Sequence, residues 1–139
     1  MRMSVVDASF AGAWILPDES SDAADALLRE ALNGKRELCV PFLWHYEICN
    51  LLTMAKRRGR IQDEHVERAV HLLQHVPMKC HDHQEVLAQR RILIFADRFS
   101  LSAYDAAYLE LADRLQCALH SSDARLKTAC EEIGLDAPG

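Results

Sequence analysis

Four acidic residues sit where a folded chain could concentrate negative charge at one point. Asp7 closes a short β-branched run, Val5-Val6-Asp7-Ala8-Ser9, and Asp123 follows a later apolar run in His120-Ser121-Ser122-Asp123. Glu47 lies in a helical stretch amid Trp44, Tyr46, Ile48 and Leu51, and Asp105 lies in the first turn of another, between Tyr104 and Ala106. Each has a plainer reading. Asp7 and Asp123 are placed to cap helices, Asp105 to complement a helix dipole, and Glu47 to sit solvated on a helix rim. Together they mean more. Two carboxylates about 5 Å apart repel by roughly 3 kcal/mol at an effective dielectric of 20, so four that converged would need a cation. Carboxylate oxygens suit hard Mg²⁺ or Mn²⁺ rather than zinc. Such ions activate water and stabilise the oxyanions of phosphodiester cleavage. Spacing alone leaves convergence open.

The elements that would position these acids alternate in type. Strands are expected at residues 3–8, 37–40, 77–80 (weakened by the leading Pro77), 116–121 and, most weakly, 135–137. Helices are expected at 22–33, stopped by Asn33-Gly34, at 41–58, opened by Pro41 and stopped by Gly59, and at 63–75, 84–99, 102–115 and 123–133. The 102–115 stretch is the clearest, with Tyr104, Ala107, Tyr108, Leu111, Ala112 and Leu115 on one stripe and Ser102 as N-cap. Short strands alternating with helices imply parallel pairing through crossovers. The expected fold is an α/β, three-layer α/β/α sandwich around a parallel sheet of about five short strands. Sites in such sheets form at the carboxyl ends of strands, where Asp7 and Asp123 fall.

The 139 residues suffice for one domain with one core, and no linker, repeat or low-complexity segment divides them. Half are apolar and Gly and Pro are few, which excludes a disordered chain. Apolar runs are too short to span a bilayer and no signal peptide is legible, so a cytoplasmic protein is expected. The five cysteines, Cys39, Cys49, Cys80, Cys117 and Cys130, are odd in number, form no C-x-x-C pair and mostly have apolar neighbours, as free thiols do in a reducing compartment. A net charge of −5 argues against a general nucleic-acid binder but not against a nuclease with an acidic site and a local basic patch.

Four motifs in order resemble those of the PIN-domain family, and particularly its VapC-type ribonuclease toxins. Val5-Val6-Asp7-Ala8-Ser9 resembles the first strand. The stretch from Val40 to Asn50, with Asn50 three residues after Glu47, resembles the second acidic motif. The stretch from Leu101 to Ala112 is very similar to the third, and Ser121-Ser122-Asp123-Ala124-Arg125-Leu126 to the fourth, where Thr is commoner than Ser121. Trp14-Ile15-Leu16-Pro17-Asp18-Glu19 and Lys56-Arg57-Arg58-Gly59-Arg60-Ile61 also look like VapC-type members. The resemblance implies a Mg²⁺ (or Mn²⁺) site built from Asp7, Glu47, Asp105 and Asp123, supported by Ser9, Ser121 and Asn50, that hydrolyses RNA. It also implies a small cognate antitoxin protein as partner, a homodimer and no membrane.

Lys56, Arg57, Arg58 and Arg60 are the densest basic patch, either a solvated helix end or a contact for RNA phosphates. Arg90 and Arg91 are a second, weaker candidate. His81-Asp82-His83 lacks further ligands at zinc-like spacing. Trp14 and Trp44 fit the core better than a base-stacking platform. A phosphoryl-accepting receiver domain would need an N-terminal acidic pair and a late Lys, and a haloacid-dehalogenase-like phosphatase would need Asp-x-Asp where Asp7-Ala8-Ser9 stands. A non-catalytic PIN-like binding module, or a PIN ribonuclease outside toxin–antitoxin systems, remains as the alternative.

Overall fold

The computed structural model describes residues 2–139. Its elements run β1 (Arg2–Val6), α1 (Ala8–Ile15), α2 (Asp22–Leu32), β2 (Arg36–Pro41), α3 (Leu43–Arg57), α4 (Asp63–His75), β3 (Met78–His81), α5 (Val86–Phe99), α6 (Ala103–Leu115), β4 (Ala118–His120) and α7 (Ala124–Glu132). The strands pair in the order β3-β2-β1-β4, every pair parallel. From β1 the chain steps outward through β2 to β3, then returns to the far side of β1. Right-handed crossovers therefore place α1–α4 on one face and α5–α6 on the other. The packing agrees: α1 lies against α2, α3 and α4, while α6 lies against α5 and α7. The reversal of strand order falls between β1 and β4, and at such a switch point the carboxyl ends splay apart to leave a crevice.

Covered on both faces, the central strands bury their apolar residues completely. Val5, Val6, Leu38, Cys39, Val40 and Leu119 have no exposed surface. No helix among the described residues is long and apolar enough to cross a membrane. All five cysteines are free, Cys39 and Cys130 buried but Cys49 and Cys80 exposed.

Two sequence expectations are corrected. The sheet has four strands among the described residues rather than about five. Residues 135–137 turn back past Gly134, at φ +85°, and meet β4 at one point, where Leu119 N–H donates to Asp136 O at 2.9 Å. A single bond makes no ladder. Pro41 does not open α3 but ends β2, opposite His81, and the helix starts at Leu43. The β1 pairing stops at Cys39, so the N–H that Pro41 lacks has no ladder bond to make on that side.

One polar cluster is sealed inside. Arg36 Nη1 donates to Ser4 Oγ at 2.9 Å, and Ser4 Oγ lies 3.1 Å from His120 Nε2, with all three residues under 10% exposed. Having accepted from Arg36, Ser4 still has its own proton to give to a neutral His120 whose Nε2 is unprotonated. Burial, seconded by the Arg36 charge, depresses the His120 pKa to about 4. The unfolded chain therefore binds the proton first on acidification. Stability from the neutral ring is full above pH 6.5 and is lost as pH falls toward about 4, by on the order of 3 kcal/mol. Urea denaturation from pH 7 to 4.5 should show this decline, and His120→Asn should flatten it by up to one bound proton. Equal slopes in the two proteins would contradict the assignment.

Candidate active site

Asp7 is the first residue beyond β1 and the N-cap of α1. Its Oδ1 accepts from Phe10 N–H at 2.9 Å and Ser9 Oγ at 2.8 Å, and its Oδ2 accepts from Ser121 Oγ at 2.5 Å. The carboxylate is only 4% exposed. Burial raises its pKa, opposed by the hydrogen bonds from Ser121, Phe10 and Ser9, and the Asp105 charge raises it further. The two serines also tie the neighbouring corner. Ser121 Oγ accepts from Asp123 N–H at 3.0 Å, and Ser9 Oγ from Ser122 N–H at 3.1 Å. Thus the β1–α1 and β4–α7 turns are bolted together through one aspartate. Asp123 caps α7, accepting from Leu126 N–H at 3.0 Å.

The two helical acids approach from the sides. Both α3, which leaves the end of β2, and α6, which runs back toward the start of β4, begin at the carboxyl edge of the sheet. Glu47 Oε1 accepts from Tyr108 Oη at 2.5 Å, linking α3 to α6. Burial raises the Glu47 pKa, the tyrosine bond opposes this, and the charges of Asp7 and Asp105 add to it. Asp105 stands in the first turn of α6, where Ser102 Oγ caps its N–H at 3.1 Å, and burial and Asp123 raise its pKa. The chain thus brings Asp7, Glu47, Asp105 and Asp123 within electrostatic reach of one another across the switch point. No three His, Cys, Asp or Glu side chains among the described residues are closed into a finished ligand set. The donor chemistry still fits a hydrated hard cation, since Mg²⁺ keeps several waters and takes one or two carboxylates.

The remaining sequence candidates lie apart. Asn50, exposed on α3, makes no side-chain hydrogen bond to the four acids among the described residues. Arg60 is held by Asp18 (2.7 Å) and Glu19 (3.3 Å), and Lys56 by Asp63 (2.6 Å). Arg57 is ten residues beyond Glu47, about 15 Å along the helix and away from the carboxyl edge. Arg91 pairs with Asp113. His83 Nε2 lies 2.9 Å from the fully buried Glu110 without the alignment of a hydrogen bond, and Arg114 grips the same carboxylate. That acid is paired with Arg114, whose Nη2 also donates to Asp82 O at 3.1 Å and so joins α6 to the β3–α5 turn. Although burial would raise the Glu110 pKa, its two basic partners hold it below the usual value. Trp44 is buried, and Trp14 donates to Ala24 O at 2.8 Å, fastening α1 to α2.

Tyr108 was legible in the sequence only as one residue of the apolar stripe. Its place three residues after Asp105 put it one turn deeper on nearly the same face, a signal that could have tied it to the acids. At the rim, Phe42 (54% exposed), Tyr46 (77%) and Tyr104 (67%) flank Glu47 and Asp105 with their rings in solvent.

Comparison with known proteins accords with this arrangement. The sequence profile of the PIN domain matches residues 4–132. The chain is 32% identical over 124 residues to Ribonuclease VapC3 of Pyrobaculum aerophilum, covering 88% of this chain and 90% of that protein. It is 33% identical over 124 residues to Ribonuclease VapC9 of Mycobacterium tuberculosis, covering 89% and 88%. Among solved structures, that of PAE2754 from Pyrobaculum aerophilum superposes with a TM-score of 0.69 at 22% identity, over 92% of this chain and 84% of that one, a likeness of fold. With its four acids gathered at the switch point of a parallel sheet, the chain belongs to the PIN domain family.

Proposed function

We propose that the protein is a Mg²⁺- or Mn²⁺-dependent endoribonuclease acting as the toxin of a toxin–antitoxin pair. The observation that carries this reading is the gathering of Asp7, Glu47, Asp105 and Asp123 at one sheet edge, in a chain about one-third identical to proteins named ribonucleases. Asp7 and Asp105 would chiefly hold the ion, and Asp123 a second, weaker one. The cation supplies charge neutralisation at the phosphoryl oxygens and a lowered pKa for water. Glu47, with its raised proton affinity, accepts the proton of the attacking water. A P–O bond to that water oxygen forms in line with the breaking bond to the ribose oxygen, which takes its proton from solvent.

Partners follow from the same reading. A small antitoxin finds an apolar seat in the groove of about 320 Å³ beside Trp14, Ile15, Leu16, Ala69 and Leu72. The exposed Leu87, Leu93 and Ile94 of α5 suit a second copy of the chain. Free thiols fit a cytoplasmic setting.

Cleavage of a mixed RNA pool by purified protein, with Mg²⁺ or Mn²⁺ against EDTA, tests the activity. Asp7→Asn keeps a cap for α1, so it should remain folded yet cut at least about 100-fold more slowly. Metal-independent cutting, or undiminished cutting by the variant, would refute the proposed site. Intact, antitoxin-free protein that cuts nothing under any metal would favour a non-catalytic binding module. Tyr108→Phe keeps the buried ring but frees Glu47, and should weaken Mn²⁺ binding about tenfold by calorimetric titration. Unchanged affinity would show that the tyrosine does not position the acid.

A further inference from the structure

Two clefts that lead away from the acidic cluster adjoin and share Ser100, Ala124 and Arg125. The first, of about 570 Å³, has Asp105 and Asp123 in its wall. The second, of about 510 Å³, continues past Arg125 to Arg98, Phe99 and Thr128. Together they form one trough that starts at the carboxylates and runs between the end of α5 and the length of α7. Its cations are held in place without being neutralised. Ser100 has left-handed backbone, φ +53°, and its carbonyl accepts from Arg125 Nη1 at 3.2 Å. The Arg98 guanidinium lies 4.7 Å from the centre of the Phe99 ring. Neither arginine has a carboxylate within 4 Å among the described residues, whereas Arg60 and Lys56 of the patch on α3 are both paired. Glu132 lines the trough as well, but two turns of α7 beyond Arg125.

We infer that the phosphate backbone of single-stranded RNA leaves the acidic cluster along this trough, with Arg125 holding the nearer phosphate and Arg98 a farther one. The inference rests on the ribonuclease reading and adds the path of its substrate. Arginine suits the task because its planar fork matches phosphate oxygens and its charge is permanent. An acidic protein needs such a local track, since its overall charge of −5 repels RNA. The strand is single because the helices that carry Glu47 and Asp105 also present exposed rings on which bases can stack. Tyr104 lies one turn nearer the sheet edge than Tyr108, on the same face of α6, and Phe42 and Tyr46 lie one turn apart on the first turns of α3, all exposed. Unpaired bases stack on such rings, whereas a duplex keeps its bases stacked inside.

The test is binding of a fluorescent uridine dodecamer to the full chain over a range of salt. Ca²⁺ replaces Mg²⁺, and a gel confirms that the RNA stays whole. Both arginines are exposed, so Arg125→Gln and Arg98→Gln should fold normally. Each should weaken binding several-fold and lower the slope of log affinity against log salt by about 0.7, the value for one single-strand phosphate contact. Arg57→Gln/Arg58→Gln should leave the slope unchanged. A wild-type slope in Arg125→Gln/Arg98→Gln, with RNA still bound, would overturn the trough and leave the ribonuclease reading standing. Equal competition by a duplex of the same length would overturn the single-strand assignment. Wild-type protein that neither binds the dodecamer nor cuts RNA would overturn the ribonuclease reading, and the trough with it.

Discussion

Mutual repulsion among carboxylates is the constraint around which this edge of the sheet is built. Asp7, almost wholly buried, feels Asp105, and Glu47 feels both. Left free, such side chains would rotate apart into solvent. Here they are held by donors that have few other places to go: a serine hydroxyl on either side of Asp7, the first free N–H groups of α1, and a phenol sealed against solvent. Each donor comes from an element fixed by the core, so the burial of β1, β4 and α6 is what keeps like charges together. The parallel sheet contributes the geometry, since only at the reversal of strand order do two strand ends open a crevice.

Much of this could be read from the residues because strand and helix periods were clean and the acids fell at element ends. The capping and cluster readings of Asp7 and Asp123 turn out not to compete, as each does the first while standing in the second. What stayed hidden depended on contacts distant in sequence. Arg60 is 42 residues from Asp18, and nothing local says that the pair will meet. Density of positive charge pointed to a patch that the fold places at the end of α3 away from the four acids. Arg125 and Arg98, each isolated among unlike neighbours, line one trough only because α5 and α7 are brought together. The fifth strand differs for another reason: three residues after a left-handed glycine meet β4 through one bond and have no length for a ladder.

The other buried carboxylate, Glu110, shows how differently the same chemistry behaves when it is fully compensated. It is sealed between His83 and Arg114, and its pKa moves down where those of Asp7, Glu47 and Asp105 move up. Asp7 and Glu110 are both buried acids near charges. Only the sign of those charges differs, and with it the distinction between a brace and a centre that calls for a cation.

The bond from Ser121 to Asp7 spans 114 positions. β4, which carries Ser121 and Asp123 into place, is synthesised after the other three strands of the sheet, and it docks against β1. Until it does, Asp7 lacks one of its two serine donors, and the crevice has only one wall. A nascent or prematurely terminated chain therefore carries the components of the centre without the centre itself. For a protein whose proposed target includes the cell's own RNA, a centre that forms only once two strands this far apart in sequence have docked is a safeguard written into strand order.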